Sequence, residues 1–593
     1  MTPRRRSGQA TPWLRTPYVL LTKQFLRQFL ENDLISPEAD RTQLLAVVGA
    51  LAISLTLFIS MFMSAKFIGA FLTPGQAAVL TLDDKFFYLS LAMIATALMA
   101  AVQWDALTID PRDAGILEPL PVSAGTIRRA KLTAVAVLGG AVAVGLNLFP
   151  SVVFPWLLSI SFPQMRIVAL PGLMSAHAVM TFAAAAFGYL AVIAIRETLT
   201  MVLGRRGFAI ASPWVQGILI VVLGSALLML PPSSRRIAQR GFDDWRATSP
   251  PMWFLGAYET LAGGVVADLP RKEMTTRQAT NDATMSELYA RRRPQFPALA
   301  SRATLAFAMA LVIAWAAYLW NARHLPALTA PAAGGRRRWR AGERFANALI
   351  VHDGTARAGF YFTLAAMWRS KTHRVTLAGA AAAGFAMVLL ALSNADVEPG
   401  ARPSLRLLVT QPLLYGALLV GFRHIIRVPA ELRANWGFQL AWRERDRAFI
   451  TGVRRAALVA LVLPALAVLL PLFIYVLGTQ SALLHAALGL AGAIVFLELL
   501  LVTYEKVPFT CTYLPSENMK ALVPIYAVAF LIGAANFARM QVQAMISGDP
   551  TGILITLAVL FVGLRVASLR RVRRPLVEFD EAPSTFQRLG LHT

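Results

Sequence analysis

The sequence predicts an all-α integral membrane protein that crosses the bilayer about twelve times, and its composition and hydropathy lead to this prediction. The chain has 593 residues, of which 56% are hydrophobic and only 15% charged, with a mean hydropathy of +0.56. Soluble domains carry about 25% charged residues, so this composition is typical of a multi-span membrane protein. A helix needs about 20 apolar residues to cross the hydrocarbon. Runs of this kind cover residues 44–64, 86–104, 132–160, 171–195, 214–231, 303–320, 375–394, 405–421, 456–478, 481–503, 521–540 and 552–569.

The distribution of lysine and arginine between these runs predicts the orientation. Short loops rich in these residues remain in the cytosol. With a cytosolic N-terminus, the segments on the cytosolic side contain 39 Lys and Arg residues. The five short segments on the opposite side contain about 5, and long translocated loops such as 232–302 are exempt from the rule. We therefore expect a multi-pass protein of the cytoplasmic (inner) membrane with both termini in the cytosol.

Composition and motifs exclude several classes of protein. The net charge of +25 fits this orientation and an attraction to anionic membrane lipids. A nucleic-acid-binding face would interleave basic and aromatic residues, and the sequence offers only the stretch 336–340, which is more typical of a juxtamembrane anchor, so we expect no nucleic-acid partner. The single cysteine, Cys511, excludes an internal disulfide and a cysteine-rich metal site. The phosphate-binding loop G-x-x-x-x-G-K-[ST] and the motifs H-E-x-x-H and G-x-S-x-G are absent. We therefore expect neither an enzyme nor a resident cofactor.

Residues 18–30 are predicted to form an amphipathic helix before the first span. Tyr18, Leu21 and Phe25 share one face at helical spacing, and Lys23 and Arg27 lie on the opposite face. This pattern favours a helix at the membrane interface, with a soluble partner-binding helix as the alternative.

The charged segment 105–131 separates the second and third spans and is the centre of the prediction. Pro119 and Pro121 cannot lie inside a helix without breaking it. Residues 126–131 can begin a helix that continues into the third span. The segment is therefore predicted to be a short, stiff, charged elbow in the cytosol, where another protein could act on it.

Three polar residues inside predicted spans are candidates for a substrate path: Asn147, His177 and Glu498. Polar residues at membrane depth mark pathways, and an acidic side chain in hydrocarbon is costly enough to suggest a function. Hydrogen-bonded packing is the alternative for His177, and a glutamate near the end of a span can also reach the interface.

The segment 232–302 is predicted to be one long external loop. It contains an apolar stretch, 250–261, that is too short to span but could dip into the interface. Trp253 and Tyr258 would there contribute to the aromatic belt. The polar remainder, 271–293, is expected to cap the outer face.

The second half of the chain repeats the order of the first. A Pro/Gly/Arg-rich linker is followed by a second amphipathic stretch, 360–374, and a second charged cytosolic stretch, 423–455, follows the eighth span. Two six-span halves with equal orientation would be a parallel repeat, as transporters use. The predicted domains are 1–320, including the loop 232–302, the cytosolic linker 321–357, and 358–593.

A metal site is the catalytic alternative. Asp105, Asp110 and Asp113 lie on one cytosolic segment, and clustered carboxylates can hold Mg²⁺ against a diphosphate, as in intramembrane prenyltransferases. Pro111 prevents residues 110–113 from presenting these acids on one helical face. Local pairing with arginines such as Arg128 is the other interpretation.

Residues 113–132 resemble the permease subunits of ABC-2-type exporters over about twenty positions. The family pattern loosely reads Gly, Leu-Glu, Leu, Pro-Val-Ser, Ile, Lys and then a new span. It is matched by Gly115, Leu117, Glu118, Leu120, Pro121, Val122, Ser123, Ile127 and Lys131. In that family the stretch lies at the cytosolic ends of spans two and three and contacts the ATPase subunit. The amphipathic helix before the first span fits the same family.

The resemblance implies the permease component of an ATP-driven exporter that lacks its own ATPase. Mg-ATP would be bound by a separate nucleotide-binding subunit. A typical member has six spans and works as a dimer, so twelve spans suggest a fused pair, and pairing of two chains is left open. The coupling residues would be Asp113, Glu118, Pro119, Pro121, Arg128 and Lys131, with Arg433, Glu444, Arg445 and Asp446 in a degenerate second segment.

The cargo is not identified by the sequence, although spans with few internal charges favour a hydrophobic molecule. Two alternatives remain from other classes of protein. One is an ion-coupled secondary transporter, which would need several facing charges inside the membrane. The other is the Mg²⁺-dependent transferase.

Overall fold

The computed structural model describes residues 16–30, 57–62, 72–107, 117, 119–162, 169–230, 248–262, 275–323, 346–393, 395, 397–430, 432, 435–441, 446–502, 507–511 and 517–571. All regular secondary structure within these ranges is helical. Eleven helices in them are long and apolar enough to cross a membrane. The chain is therefore an all-α, multi-pass membrane protein.

The eleven helices correspond one by one to the second to twelfth predicted spans. The first predicted span, 44–64, lies outside the described residues except for 57–62, which are helical. The chain divides into two compact units. Unit 1 comprises Met1–Leu219 and Ala226–Ala333, and unit 2 comprises Ile220–Ser225 and Gly334–Thr593. The boundary at residue 333 falls within the predicted linker, 321–357.

Unit 1 is built around a long, buried second helix. Its described helices are α1 (Pro17–Leu30), α2 (Pro74–Val102), α3 (Ala124–Ser161), α4 (Leu170–Gly204), α5 (Gly207–Leu228), α6 (Pro250–Ala262), α7 (Thr276–Arg292) and α8 (Phe296–Arg323). Thr73 and Gln76 form a capping box at the start of α2. Pro74 fits in the first turn, because backbone N–H groups there have no acceptor within the helix and proline lacks this group. Helix α2 packs against α3, α6 and α7.

The prediction that 232–302 is a loop is wrong for its described part. Helix α6 buries Met252, Phe254, Leu255 and Tyr258 in the core of unit 1, and α6 packs against α8. Tyr258 is 1% exposed, so it does not belong to an aromatic belt at the membrane surface. A run of 13 residues is too short to span, but the core accepts it because neighbouring helices cover its apolar side chains.

Two predicted boundaries also move. The second span begins at Pro74 and not at residue 86, so the three charged residues before 86 lie inside a helix. The segment 196–213, between the fourth and fifth predicted spans, is mostly helical, because α4 continues to Gly204 and α5 begins at Gly207. Gly204 ends that helix with φ +59°, a conformation that glycine adopts without a Cβ clash.

Unit 2 contains the remaining predicted spans. Its described helices are α9 (Gly354–Arg369), α10 (Lys371–Leu392), α11 (Leu405–Ile425), α12 (Asn435–Ala441), α13 (Asp446–Ala457), α14 (Leu463–Leu477), α15 (Thr479–Leu501), α16 (Glu517–Ser547) and α17 (Thr551–Arg571). The amphipathic stretch 360–374 is not one helix. Ser370 separates α9 from α10, and its hydroxyl accepts from the backbone N–H of His373.

A π-helical turn, Leu458–Val462, joins α13 to α14, so the ninth predicted span continues a helix that starts ten residues earlier. The core of unit 2 is formed by α11, α13, α14 and α15. The parallel repeat of two six-span halves remains a prediction.

Candidate functional site

The predicted coupling elbow leads directly into α3. Pro119, Leu120 and Pro121 are exposed, and Leu120 retains 47% of its accessible surface. The hydroxyl of Ser123 accepts from the backbone N–H of Thr126 at 3.2 Å, which caps the helix immediately after the prolines. The prolines therefore stand at the surface next to a capped helix start, where a force on them would act on α3.

Lys131 is buried, in contrast to Pro119 and Pro121. It is 2% exposed, and its ammonium lies 4.6 Å from the centroid of the Phe25 ring in α1. The hydroxyl of Tyr18 also meets that of Thr133 at 2.6 Å. Lys131 therefore holds α1 on the start of α3 and is not accessible to a partner subunit, whereas Arg128 lies near the surface on the same helix.

Unit 2 shows an analogous arrangement. Helix α9 packs against α13, and the backbone of each helix approaches a glycine of the other. A Cβ added to Gly452 would overlap the carbonyl of Ala356, and one added to Gly359 would overlap the carbonyl of Phe449. Helix α1 thus packs on the helix that forms the third predicted span, and α9 packs on α13, which continues into the ninth.

The other predicted coupling residues are described only in part. Asp113, Glu118, Arg433, Glu444 and Arg445 lie outside the described residues. Asp446 is the first residue of α13.

The described residues provide no Mg²⁺ site for the catalytic alternative. Asp105 is exposed beyond the end of α2, and Asp110 and Asp113 are not described. Within the described part of the chain, no group of three or more His, Cys, Asp or Glu residues is placed to hold a metal ion.

The residues predicted for a substrate path lie on three different helices. Asn147 is buried in α3 and donates to the carbonyl of Ala143 at 2.8 Å, so its amide bonds within its own helix. His177 in α4 is 1% exposed and packs against the rings of Tyr88, Phe154 and Tyr258. Glu498 belongs to unit 2.

Glu498 forms a charged cluster in unit 2. One carboxylate oxygen lies 3.0 Å from Arg454 of α13, and the other lies 3.6 Å from Arg565 of α17. The exposed side-chain fractions are 8% for Glu498, 12% for Arg454 and 39% for Arg565. One acidic group thus holds two arginines from two other helices, and the cluster carries a net positive charge.

A second buried cluster, in unit 1, was not predicted. The ammonium of Lys85 in α2 lies 2.5 Å from a carboxylate oxygen of Glu259 in α6, and the hydroxyl of Tyr289 in α7 donates to the other oxygen at 2.6 Å. Lys85 also lies 4.7 Å from the centroid of the Tyr258 ring. Asp83 and Asp84 are buried beside Lys85 in the chain. We call Asp83, Asp84, Lys85, Glu259 and Tyr289 the α2 charge cluster.

The hydroxyl of Tyr258 connects this cluster to His177. It lies 3.3 Å from Nδ1 of His177. Burial, and secondarily the charge of Glu259, raise the pKa of Tyr258 well above its ordinary value. Tyr258 therefore keeps its proton at neutral pH and can donate it in a hydrogen bond to the imidazole.

A third polar cluster ties the other end of α2 to α4 and α8. Arg196 donates to the carbonyl of Trp104 at 2.7 Å and forms an ion pair of 2.8 Å with Glu197. The amide of Asn321 donates to Glu197 at 2.7 Å, and the indole of Trp104 donates to Ser212 at 2.8 Å. These contacts position the end of α2 from which the segment 105–131 departs.

One signal in the sequence pointed to the α2 charge cluster. Thr73, Pro74 and Gln76 form a helix-start pattern, which would have placed residues 83–85 inside a helix. The partner of Lys85, Glu259 of α6, lies 174 residues away and is itself bonded to Tyr289 of α7, and no local pattern identifies either. Comparison of this chain with protein-family models, curated proteins and solved structures finds no match.

Proposed function

We propose that this chain is the membrane-spanning permease component of an ATP-binding-cassette exporter. It would move a molecule across the cytoplasmic membrane by means of ATP hydrolysed on a separate subunit. The observation that carries the proposal is the surface position of Pro119 and Pro121 directly before the capped start of α3. A partner that pushes on this stiff segment would displace the third span without first deforming a loop.

The helices predicted to be amphipathic support the same proposal. Helix α1 is held on α3 through Phe25 and Lys131, and α9 is held on α13 through the Gly359 and Gly452 contacts. In each unit, motion of the helix that begins the third span would move the neighbouring interfacial helix with it. The two units thus offer comparable points of attachment for an ATP-driven partner, although Lys131 would act as a positioning residue only.

Co-purification tests this proposal. The tagged chain is extracted from its native membrane in mild detergent, and the eluate is examined for a second protein with a Walker-type ATPase motif. We expect such a subunit to co-elute, and we expect Pro121→Gly and Glu118→Ala to weaken its binding or to uncouple its ATPase activity. Pro550→Gly is the matched control, because Pro550 also precedes a helix but lies on the predicted outer side. If the chain elutes alone, the proposal is wrong.

An ion-coupled secondary transporter is the second candidate, because the structure buries several charged residues. Lys85 and Glu259 form a nearly fully buried ion pair, and Arg454 and Glu498 form another in unit 2. Charged residues at membrane depth are typical of proton and ion pathways. Transport that persists without any ATPase subunit but stops when a protonophore collapses the ion gradient would favour this candidate.

A further inference from the structure

Three fully buried polar side chains meet between three helices of unit 2. They are Gln411 of α11, His485 of α15 and Gln541 of α16, and each is 0% exposed. The three helices pack against one another. None of the three residues belongs to the coupling segments or to the Glu498 cluster.

The three residues lie at one depth. Gln411 is six residues from the helix end at Leu405, His485 is six residues from Thr479, and Gln541 is six residues from Ser547. At a rise of 1.5 Å per residue, this places all three about 9 Å inside the same end of the bundle. In the predicted orientation that end faces the outside.

Side-chain contacts bring them together. The amide of Gln411 occupies the notch left by Gly489, where an added Cβ would overlap it, and Gly489 lies one helical turn after His485. His485 faces the amide of Gln541 and packs at right angles against the ring of Phe473, with ring centroids 4.5 Å apart. The three side chains therefore surround one position in the bundle.

Their polar atoms do not all satisfy one another. The amide nitrogen of Gln411 donates to the hydroxyl of Tyr415 at 3.1 Å. His485 and Gln541 can hydrogen-bond to each other, which leaves one ring nitrogen and one amide atom of that pair, and the amide oxygen of Gln411, without a partner among the described residues. Buried polar atoms are almost always satisfied by protein, water or ligand, so three unsatisfied atoms at one place require an explanation. Packing alone does not supply one, because apolar side chains of the same size would fill the space without this penalty.

We infer that Gln411, His485 and Gln541 form a hydrated binding site for an uncharged hydrogen-bonding group, such as a hydroxyl, amide or carbonyl, near the helix ends at Thr479 and Ser547. The two amides cannot ionise, and amides and a neutral imidazole match uncharged donors and acceptors. They offer no countercharge to a phosphate or an ammonium group. The assignment of this group to the transported molecule rests on the proposed function, whereas the hydrated site does not.

Cysteine labelling along α16 tests the site. In a Cys511→Ala background, which removes the single native cysteine, three variants are compared: Gln541→Cys, Ala544→Cys and Ile546→Cys. Ala544 is 4% exposed within an apolar cluster and lies nearer to the helix end than Gln541. Ile546 is 74% exposed and serves to normalise reagent reactivity. The protein is reconstituted in lipid and treated with neutral 2-hydroxyethyl or anionic 2-sulfonatoethyl methanethiosulfonate.

We expect the neutral reagent to modify Gln541→Cys at least about tenfold faster than Ala544→Cys, because only the former would face water. At Gln541→Cys we also expect the neutral reagent to react about tenfold faster than the anionic reagent, once each rate is normalised to the rate at Ile546→Cys. The reason is that the site lacks a countercharge. Equal, slow reaction of Gln541→Cys and Ala544→Cys would show a dry, packed interior and overturn the site. Equal rates with the two reagents at Gln541→Cys would overturn the chemical class.

A measurement on the unaltered chain guards against misfolded variants. Diethyl pyrocarbonate acylates accessible imidazoles, and mass spectrometry compares His485 with His373. Both residues are 0% exposed, but the ring nitrogens of His373 lie 3.2 and 3.0 Å from the carbonyls of Ala366 and Val428. We expect His485 to react first, and equal protection of both would contradict the site. Neither labelling experiment needs an ATPase, so a failed pull-down and a dry site are separate outcomes.

Discussion

Lys85 and Glu259 form an ion pair of 2.5 Å whose two side chains are 3% and 2% exposed, although 174 residues separate them in the chain. The pair joins a membrane-spanning helix, α2, to the short helix α6. The remaining carboxylate oxygen of Glu259 accepts from Tyr289, so α7 is joined to the same point. Three helices therefore depend on one carboxylate.

Lys85→Met is expected to destabilise the protein strongly. It leaves the charge of Glu259 buried without its partner, a change that typically costs about 3–5 kcal/mol. The double variant Lys85→Met/Glu259→Leu should lie closer to the wild type, because it leaves no unpaired buried charge. Unfolding in mixed micelles, titrated with dodecyl sulfate, measures both.

The matched control for that experiment is an exposed pair in the same unit. Arg291 and Glu287 lie 2.6 Å apart on α7, with 71% and 63% of their side chains exposed. Arg291→Ala should change stability by less than about 1 kcal/mol, because water screens exposed pairs. If Lys85→Met were as mild as Arg291→Ala, the α2 charge cluster would not hold α6 in place.

The Glu498 cluster should respond unequally to loss of its two arginines. Arg454→Ala removes the partner at 3.0 Å, which is 12% exposed, whereas Arg565→Ala removes one at 3.6 Å that is 39% exposed. We expect Arg454→Ala to lower the melting temperature more, because its charge is the more deeply desolvated. Thermal melts of the two purified variants decide the order, and equal shifts would argue against Arg454 as the principal partner.

Gly452→Ala is expected to separate α9 from α13. The added methyl group would overlap backbone atoms of Ala356, which cannot rotate away as a side chain can. Overpacking of this kind costs about 1–3 kcal/mol. Gly354→Ala on α9 is the control, because no atom lies within 4 Å of its added Cβ. Limited proteolysis should show faster cleavage at α9, and a denaturant titration should show lower stability, for Gly452→Ala only.

Phe25 and Lys131 should show energetic coupling in a double-mutant cycle. The cycle compares Phe25→Leu, Lys131→Met and the double variant, since leucine retains apolar bulk but removes the ring face. A buried cation over an aromatic ring contributes about 1–2 kcal/mol, which sets the expected coupling energy. The control cycle combines Phe25→Leu with Lys23→Met, because Lys23 is an exposed lysine on α1. A coupling energy near zero in both cycles would mean that the Phe25 ring and the Lys131 ammonium lie close together without a measurable attraction.

Composition and the length of the apolar runs are enough to identify an all-helical membrane protein and to locate the described spans. Hydrocarbon thickness imposes a run length that can be read locally, which is why the runs at 86–104 and 132–160 predicted α2 and α3. The prolines at 119 and 121 likewise predicted that a helix starts after them, and α3 begins at Ala124.

The burial of the polar residues and their contacts depend instead on how the helices pack. A hydropathy pattern predicts a loop for the three charges before residue 86, because it cannot show that Glu259 of α6 pairs with Lys85. Tyr258 was assigned to the membrane surface for the same reason, and Gln411, His485 and Gln541 gave no local signal at all. The cost of burying a polar group depends on neighbours that are distant in the chain, as Glu259 is from Lys85, so it can be assessed only when the helices are packed.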